Sequence, residues 1–313
     1  MSGMRRWQSF TAGLITSCAL AACGGGGDSP PAPTISPPAA EVGAPVLTNN
    51  ISTDGLNWIN FRRGQLGVPV LARNGQIDIA AQGHSDYQRA NNTVSHDQLA
   101  GRTGFTGTGL RERLNAAGYV VPSSGFAIGE IISAAASNNG HSLSEELVTA
   151  IYHRFVMFEP RFKEIGVGAA TNASNYTYFT ANLAARDGYG PGIGRGNLVS
   201  WPFNGQTGVT RNFFSDFEAP DPVPERNEVG YPISVHADID VTLVPGSFTI
   251  RPRGEAELAV RLLRRSAADQ VTPTSALAII PLEPLRSGTT YDVSFSGTSD
   301  STPISKSWSF TTK

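Results

Sequence analysis

The sequence predicts an α/β domain over residues 48–185 and an all-β sandwich over residues 230–313. In the first segment, apolar residues recur at spacings of three and four, and strand-like alternation follows them. In the second, short β-branched or alternating runs recur between turn residues without helical periodicity, which is typical of a sandwich. Residues 186–229 are rich in glycine and proline and predict a linker between the two domains. A length of 313 residues suits two domains and a tail.

Each predicted element depends on a local pattern. The predicted helices lie between Leu56 and Leu66, between Ile77 and Gln88, between Leu110 and Ala117, and from Ser142 through Phe155. The last of them starts at a capping box, because Ser142 and Glu145 have the spacing at which each side chain caps the other's backbone amide. The predicted strands are Ile165–Gly168 and Tyr176–Leu183 in the first domain, and Ile239–Val244, Ser247–Arg251, Glu257–Leu263, Ala276–Pro281, Thr290–Ser296 and Lys306–Thr312 in the second.

The N-terminus has the pattern of an export signal. Two arginines precede an apolar run, residues 10–20, that is shorter than the roughly 20 residues of a membrane-spanning helix. The run ends in Leu20-Ala21-Ala22-Cys23, which resembles the lipobox of bacterial lipoproteins. The resemblance implies that residues 1–22 are a signal peptide and that Cys23 carries a lipid, so that the membrane is a partner.

The stretch after Cys23 supports that interpretation. Residues 23–47 are rich in glycine and proline, cannot bury a core and predict a disordered tether between lipid and domain. Gly24 follows the cysteine in place of aspartate. In a host with two membranes this predicts sorting to the outer membrane of the cell envelope.

Composition excludes several classes of protein. The formal net charge is −2 and no basic run is interleaved with aromatic residues, which argues against nucleic acid as a partner. Both cysteines, Cys18 and Cys23, lie in the N-terminal segment, so neither domain contains a cysteine nucleophile or a cysteine-based zinc site. The chain also lacks the serine-hydrolase elbow, the His-Glu-x-x-His helix and the phosphate-binding loop. We therefore predict no catalytic residue.

Three side chains of the first domain are candidates for a site: His96, Glu130 and His153. Two imidazoles and a carboxylate that converge in a cleft would suit a zinc ion with His96 and His153 as metal ligands, or an acid/base pair. The same three groups could instead form a hydrogen-bonded brace between helices. His84, on an apolar helical face, is predicted to be a satisfied core histidine, and His141, in an Asn-Asn-Gly loop, to be exposed.

At these positions the first domain resembles the bacterial CAP superfamily, which includes cysteine-rich secretory proteins, antigen 5 and plant pathogenesis-related proteins. The resemblance implies a three-layer α-β-α sandwich with a surface cleft lined by histidine and glutamate, and places His96, Glu130 and His153 in that cleft. Seven short motifs carry it, in the family's order: Asn60-Phe61-Arg62-Arg63-Gly64, Ala80-Ala81-Gln82-Gly83-His84-Ser85, Val94-Ser95-His96, Ala116-Ala117-Gly118-Tyr119, Gly129-Glu130-Ile131, His153-Arg154 and Ile165-Gly166-Val167-Gly168.

Two departures from the family pattern concern the site. Ile131 replaces the asparagine that follows the cleft glutamate, and the segment before His153 is shortened, which predicts that this histidine lies on a helix and not in the loop after it. No second cleft glutamate can be matched, and the nearest candidates are Glu145 and Glu146.

The second domain has a resemblance of its own. Residues 284–293 and the ending Trp308-Ser309-Phe310-Thr311-Thr312 resemble the Ig-like domains of bacterial surface proteins, which implies a spacer or adhesion module.

Taken together, these patterns predict a non-enzymatic lipoprotein of the cell envelope. Its His/Glu cleft would bind a small apolar ligand such as a lipid, a metal or a protein partner, and zinc is the cofactor considered. One alternative is a metal-assisted hydrolase of envelope components, with Glu130 as the base. Another is an adhesin or scaffold that works through the Ig-like domain. Fold alone does not distinguish these functions.

Overall fold

The computed structural model describes residues 35, 37–38 and 41–313. The predicted signal peptide, Cys23 and most of the predicted tether lie outside these residues. In the part of the chain that is described, no helix is long and apolar enough to cross a bilayer.

The first domain contains five helices and four strands among the described residues. The helices are α1 (Ile51–Leu66), α2 (Gly75–Asn91), α3 (Leu110–Ala116), α4 (Gly140–Thr149) and α5 (Ile151–Met157), and the strands are β1 (Ala72–Arg73), β2 (Ala127–Ala135), β3 (Glu164–Thr171) and β4 (Thr177–Ala185). The strands form one sheet in the order β1-β3-β4-β2, with β1 parallel to β3 and the other pairs antiparallel. Strand β2 is therefore at an edge of the sheet.

The sheet lies between two layers of helices. On one face, α2 packs against β3 and β4, and on the other α1 packs against α4 and β3. Two glycines of β3 allow the close approach of α2, because a Cβ at Gly166 would lie 2.2 Å from the backbone N of Asp78, and one at Gly168 would lie 2.3 Å from the Cα of Gln82. The alternate residues Ile165 and Val167 belong to the core on the opposite face. The three-layer α-β-α prediction is confirmed.

The predicted capping box is wrong. Helix α4 begins at Gly140, and its cap is Asn139, whose side chain accepts a hydrogen bond from the backbone N of Ser142. Glu145 instead accepts hydrogen bonds from Trp58 and Arg62 across the interface with α1. The predicted continuous helix is also interrupted at Ala150, where a ψ of 112° ends α4 and lets α5 start in a new direction.

The C-terminal part of the chain is all-β. Its strands are β5 (Val199–Trp201), β6 (Asn212–Phe214), β7 (Glu228–Gly230), β8 (Ile233–His236), β9 (Leu243–Pro252), β10 (Val260–Leu263), β11 (Ala276–Pro281), β12 (Thr290–Ser299) and β13 (Thr302–Thr311). They form antiparallel sheets of order β10-β11-β8-β5 and β13-β12-β9 and the small pair β6-β7. Buried side chains of both larger sheets belong to one hydrophobic cluster, which continues into the core of the first domain. Strand β11 of one sheet contacts β9 of the other, as in a sandwich. The strand predicted at Ile239–Val244 is displaced, because the chain turns there between β8 and β9.

The segment predicted as a linker, residues 186–229, differs from that prediction. It contains β5, β6 and most of β7, and β5 extends the first sheet of the sandwich by pairing with β8. Trp201 and Val223 are fully buried in it. The glycines and prolines of this segment therefore shape ordered loops between short strands.

Helix α5 joins the two domains. Ile151, Tyr152 and Phe155 are buried in a cluster whose other members all come from residues 213–280. Arg154, which is also fully buried, donates hydrogen bonds to the carbonyl oxygen of Pro232 (2.6 Å) and to the hydroxyl of Ser234 (3.3 Å). The helix that carries His153 thus packs against residues of both domains.

Candidate functional site

Glu130 on β2 anchors the first half of the site. Its carboxylate is 1 % exposed and accepts hydrogen bonds from Arg113 on α3, at 2.8 Å to each oxygen, and contacts the Nδ1 of His96 at 2.9 Å. Burial opposes its ionisation, but the Arg113 guanidinium and the nearby histidines outweigh burial and hold the pKa of Glu130 well below its usual range. An ionised carboxylate only accepts hydrogen bonds, so Nδ1 of His96 donates to Glu130, and in the neutral form of this ring Nε2 presents a lone pair.

His84 supports the loop that carries His96. It is fully buried, and its two ring nitrogens bond to the carbonyl oxygen of Ser95 (2.8 Å) and to the side-chain amide of Gln98 (3.0 Å). Burial lowers the pKa of His84 to about 4, so the ring is neutral at pH 7. The prediction of a satisfied core histidine is confirmed.

His153 forms the second half of the site. It lies on α5, and its Nδ1 is 3.1 Å from an Oε of Glu218. The same carboxylate accepts hydrogen bonds from the backbone N–H groups of Ile151 (2.9 Å), Tyr152 (2.6 Å) and His153 (3.2 Å). Glu218 thus fills the role of an N-terminal cap for α5, a helix that has no capping side chain at Ala150. Both members of the pair are fully buried.

The side chains of His96 and His153 lie next to each other. Their ring centroids are 6.5 Å apart and the ring planes are inclined by 30°. The Nε2 atoms of both rings are buried and have no hydrogen-bond partner among the described residues. Buried polar atoms without a partner are costly and rare in folded proteins, so this pair calls for a bound water, ion or ligand. The His96 side chain is 18 % exposed and that of His153 is inaccessible, which leaves access on the His96 side.

The predicted site residues therefore belong to two His–Glu pairs. His96 and Glu130 are in direct contact. His153 lies beside the ring of His96 and is hydrogen-bonded to Glu218. The second carboxylate is neither of the sequence candidates. Glu145 bonds to α1. Glu146 is partly buried and accepts a hydrogen bond from the Ser133 hydroxyl (2.6 Å), and desolvation raises its pKa to about 7.

Sequence reasoning missed three residues of this region: Glu218, Arg113 and Gln98. Glu218 lies in the segment predicted as a linker, residues 186–229, and only its contacts with α5 reveal its role. His141 was predicted to be exposed, but it is 7 % exposed and stacks on Trp58 with ring centroids 4.7 Å apart. It lies in the first turn of α4, which the Asn139 cap begins earlier than predicted.

The structure offers few side chains that could ligate the predicted metal ion. Among the described residues, no group of three or more His, Cys, Asp or Glu side chains is arranged to hold a metal ion. His96 and His153 offer two nitrogen donors, and each is oriented by a carboxylate at its other nitrogen, as in the carboxylate–histidine–zinc arrangement. These residues could supply two ligands to a metal, and the rest would have to come from water or another molecule.

A match to a family model agrees with the fold of the first domain. Residues 56–183 match the model of the cysteine-rich secretory protein family, CAP. This part of the chain is a CAP domain. The helices and strands around both histidines lie within the match, whereas Glu218 lies 35 residues beyond it. A search of curated proteins found no match. The match does not extend to the C-terminal sandwich, whose Ig-like character stays a prediction.

Solved structures of similar proteins come from bacteria and a parasite. An extracellular protein containing an SCP domain from Bacillus anthracis is 25 % identical, with a TM-score of 0.37 over 49 % of this chain and 45 % of its own. An outer surface protein from Borrelia burgdorferi is 15 % identical, with a TM-score of 0.37 over 45 % of this chain and 97 % of its own. A venom allergen-like protein from Schistosoma mansoni is 13 % identical, with a TM-score of 0.29 over 46 % and 90 %. The present chain thus spans less than half of the first of these.

Proposed function

We propose that this protein is a non-enzymatic lipoprotein of the bacterial envelope whose CAP domain binds one zinc-like divalent cation between His96 and His153. The observation that carries the proposal is the pair of buried, unpartnered Nε2 atoms on rings 6.5 Å apart. Neutral imidazole nitrogen is a preferred zinc ligand at about 2.0–2.1 Å, and the carboxylates at both Nδ1 atoms favour the tautomer that binds metal through Nε2.

Coordination would be completed from outside the chain. Zinc in proteins is usually four-coordinate, so two imidazoles leave about two positions for water or for a donor from a small ligand or a partner protein. Such a donor would approach from the His96 side, because the His96 side chain is 18 % exposed whereas that of His153 is inaccessible. The proposed cation is then a means of binding a further molecule at the protein surface.

The geometry disfavours hydrolysis with Glu130 as the base. Both of its oxygens accept from Arg113, one also contacts His96, and its pKa is held well below the usual range. A general base works best with a pKa near the operating pH. Glu130 therefore orients His96 and is poorly suited to take a proton from water.

Thermal unfolding with zinc and with chelator tests the proposed cation site. We expect zinc to stabilise the wild type by about 2.7 kcal/mol when free zinc is 100 times its Kd. His96→Ala should abolish this zinc-dependent gain. His141→Ala is the matched control, because it removes another buried imidazole with an unpartnered Nε2 that stacks on Trp58 outside the pair. Equal melting of the wild type with zinc and with chelator would contradict the proposal and favour a purely structural brace.

Export and lipidation at Cys23 are tested separately. We expect Cys23→Ser to leave the precursor unprocessed and to remove the protein from the detergent phase, because the lipid is attached to the thiol. Cys18→Ser is the control, since Cys18 lies within the predicted signal peptide and should leave processing unchanged. Normal processing of Cys23→Ser in the native host would overturn the proposed anchor.

A further inference from the structure

The carboxylate that orients His153 comes from outside the CAP domain. Glu218 follows the 3₁₀ turn Ser215–Phe217, in the segment between β6 and β7 that leads into the sandwich. It is 2 % exposed, and its two oxygens accept from three successive N–H groups of α5 as well as contacting the Nδ1 of His153. Among the described residues, the hydrogen bonds that its carboxylate makes to the CAP domain all go to α5.

The loop that presents Glu218 is itself held closed. Ser215 is fully buried, its hydroxyl donates to the carbonyl oxygen of Arg226 (2.7 Å) and its backbone N–H to that of Asn227 (2.8 Å). Val223 anchors the middle of the loop in the cluster that also contains Ile151 and Tyr152. The loop therefore holds the carboxylate in place without depending on the histidine.

The two His–Glu pairs are stabilised in different ways. At His96, the charge of Glu130 is balanced by Arg113. At His153, no guanidinium bonds to Glu218 among the described residues, and the backbone N–H groups at the start of α5 stabilise the carboxylate instead. The three backbone N–H groups hold the carboxylate of Glu218 in place, and the carboxylate accepts a hydrogen bond from Nδ1 of His153. In the neutral ring, Nε2 is then free to bind.

We propose that Glu218 is a positioning residue for the His96–His153 site, so that the C-terminal part of the chain completes a binding site begun in the CAP domain. This inference rests on the proposed cation site. Glu218, which lies outside the family match, would fix the tautomer and the orientation of His153. The affinity of the site would then depend on how the sandwich packs against the CAP domain.

Glu218→Gln in the full chain tests the proposal by two measurements. The first is zinc affinity by competition with a chromophoric chelator, for which loss of an orienting partner predicts a decrease of about 10- to 100-fold. The second is the ring ¹⁵N spectrum of the metal-free protein, in which wild-type His153 should be protonated at Nδ1. The variant should lose that single tautomer at His153 and retain it at His96.

Glu146→Gln is the matched control, because Glu146 is a partly buried glutamate of the CAP domain that bonds to Ser133 and to neither histidine. It should leave both measurements unchanged. Melting in chelator reports whether each variant is folded. If Glu218→Gln destabilises α5, Glu218→Asp, which keeps the charge on a shorter side chain, should recover part of the affinity.

The outcomes separate the two proposals. If the wild type binds no zinc, the proposed function fails, and the tautomer of His153 still decides whether Glu218 positions the ring. If the wild type binds zinc and Glu218→Gln binds it equally well with an unchanged His153 spectrum, the positioning role is overturned and the proposed function stands.

Discussion

Replacing Arg113 by methionine should destabilise the protein by about 3–5 kcal/mol, the cost of leaving a buried charge without its partner. Arg113 is 1 % exposed and supplies both hydrogen bonds that balance the charge of Glu130, as well as bonds to the carbonyl oxygens of His96 and Thr108. The pKa of Glu130 should rise in the variant, because burial raises this pKa and only the two histidines would be left to lower it. Urea unfolding at pH 7 in chelator measures the loss.

Two further variants identify its cause. Arg113→Met combined with Glu130→Gln should regain part of the stability, because the uncompensated charge is gone. Arg89→Met should cost less than about 0.5 kcal/mol, since the ion pair of Arg89 with Asp86 is exposed. A loss below about 1 kcal/mol for Arg113→Met would show that water reaches Glu130 and that the pair is not the buried anchor described above.

A chain that ends after β4, at residue 186, should lose most or all of its cooperative unfolding transition. Ile151, Tyr152 and Phe155 would lose the partners that bury them, and each such side chain contributes about 1.5–3 kcal/mol. The sum of roughly 5–9 kcal/mol is comparable to the whole stability of a typical domain. The variant would also lack Glu218, which caps α5.

Circular dichroism melts of the truncated and full chains measure this dependence. Removal of residues 1–34 from the full chain is the control, because these residues all lie outside the described part, and it should leave the transition in place. A truncated chain that melts cooperatively within a few degrees of the full chain would contradict the structural role assigned to the domain interface.

Much of the fold could be predicted from the sequence, because in many elements the local sequence pattern agrees with the tertiary structure. Ala276–Pro281 is a strand with the predicted bounds, and Gly67 ends α1 in the left-handed conformation that glycine tolerates. The motif Gly166-Val167-Gly168 was informative for a physical reason, since only residues without a Cβ let α2 lie so close to β3.

The rest depended on contacts that local patterns do not contain. Glu218 lies 65 residues after His153, in a stretch whose prolines and acidic residues are typical of a connector, and nothing in its own neighbourhood predicts burial. Asn139 and Ser142 are both residue types that cap helices, and in the structure Asn139 is the cap of α4. His96 and Glu130 were identified because family motifs contain them, whereas the orienting residue from the second domain has no motif.

The most direct test of a cation bound between His96 and His153 is the zinc K-edge X-ray absorption spectrum of the purified full-length protein. Bound zinc should show nitrogen or oxygen scatterers at about 2.0–2.1 Å, with the outer-shell pattern of two imidazoles and no sulfur at about 2.3 Å. The imidazole pattern should fall to one ring in His96→Ala and in His153→Ala. Sulfur ligation, or a spectrum unchanged in both variants, would place the metal elsewhere and contradict the account.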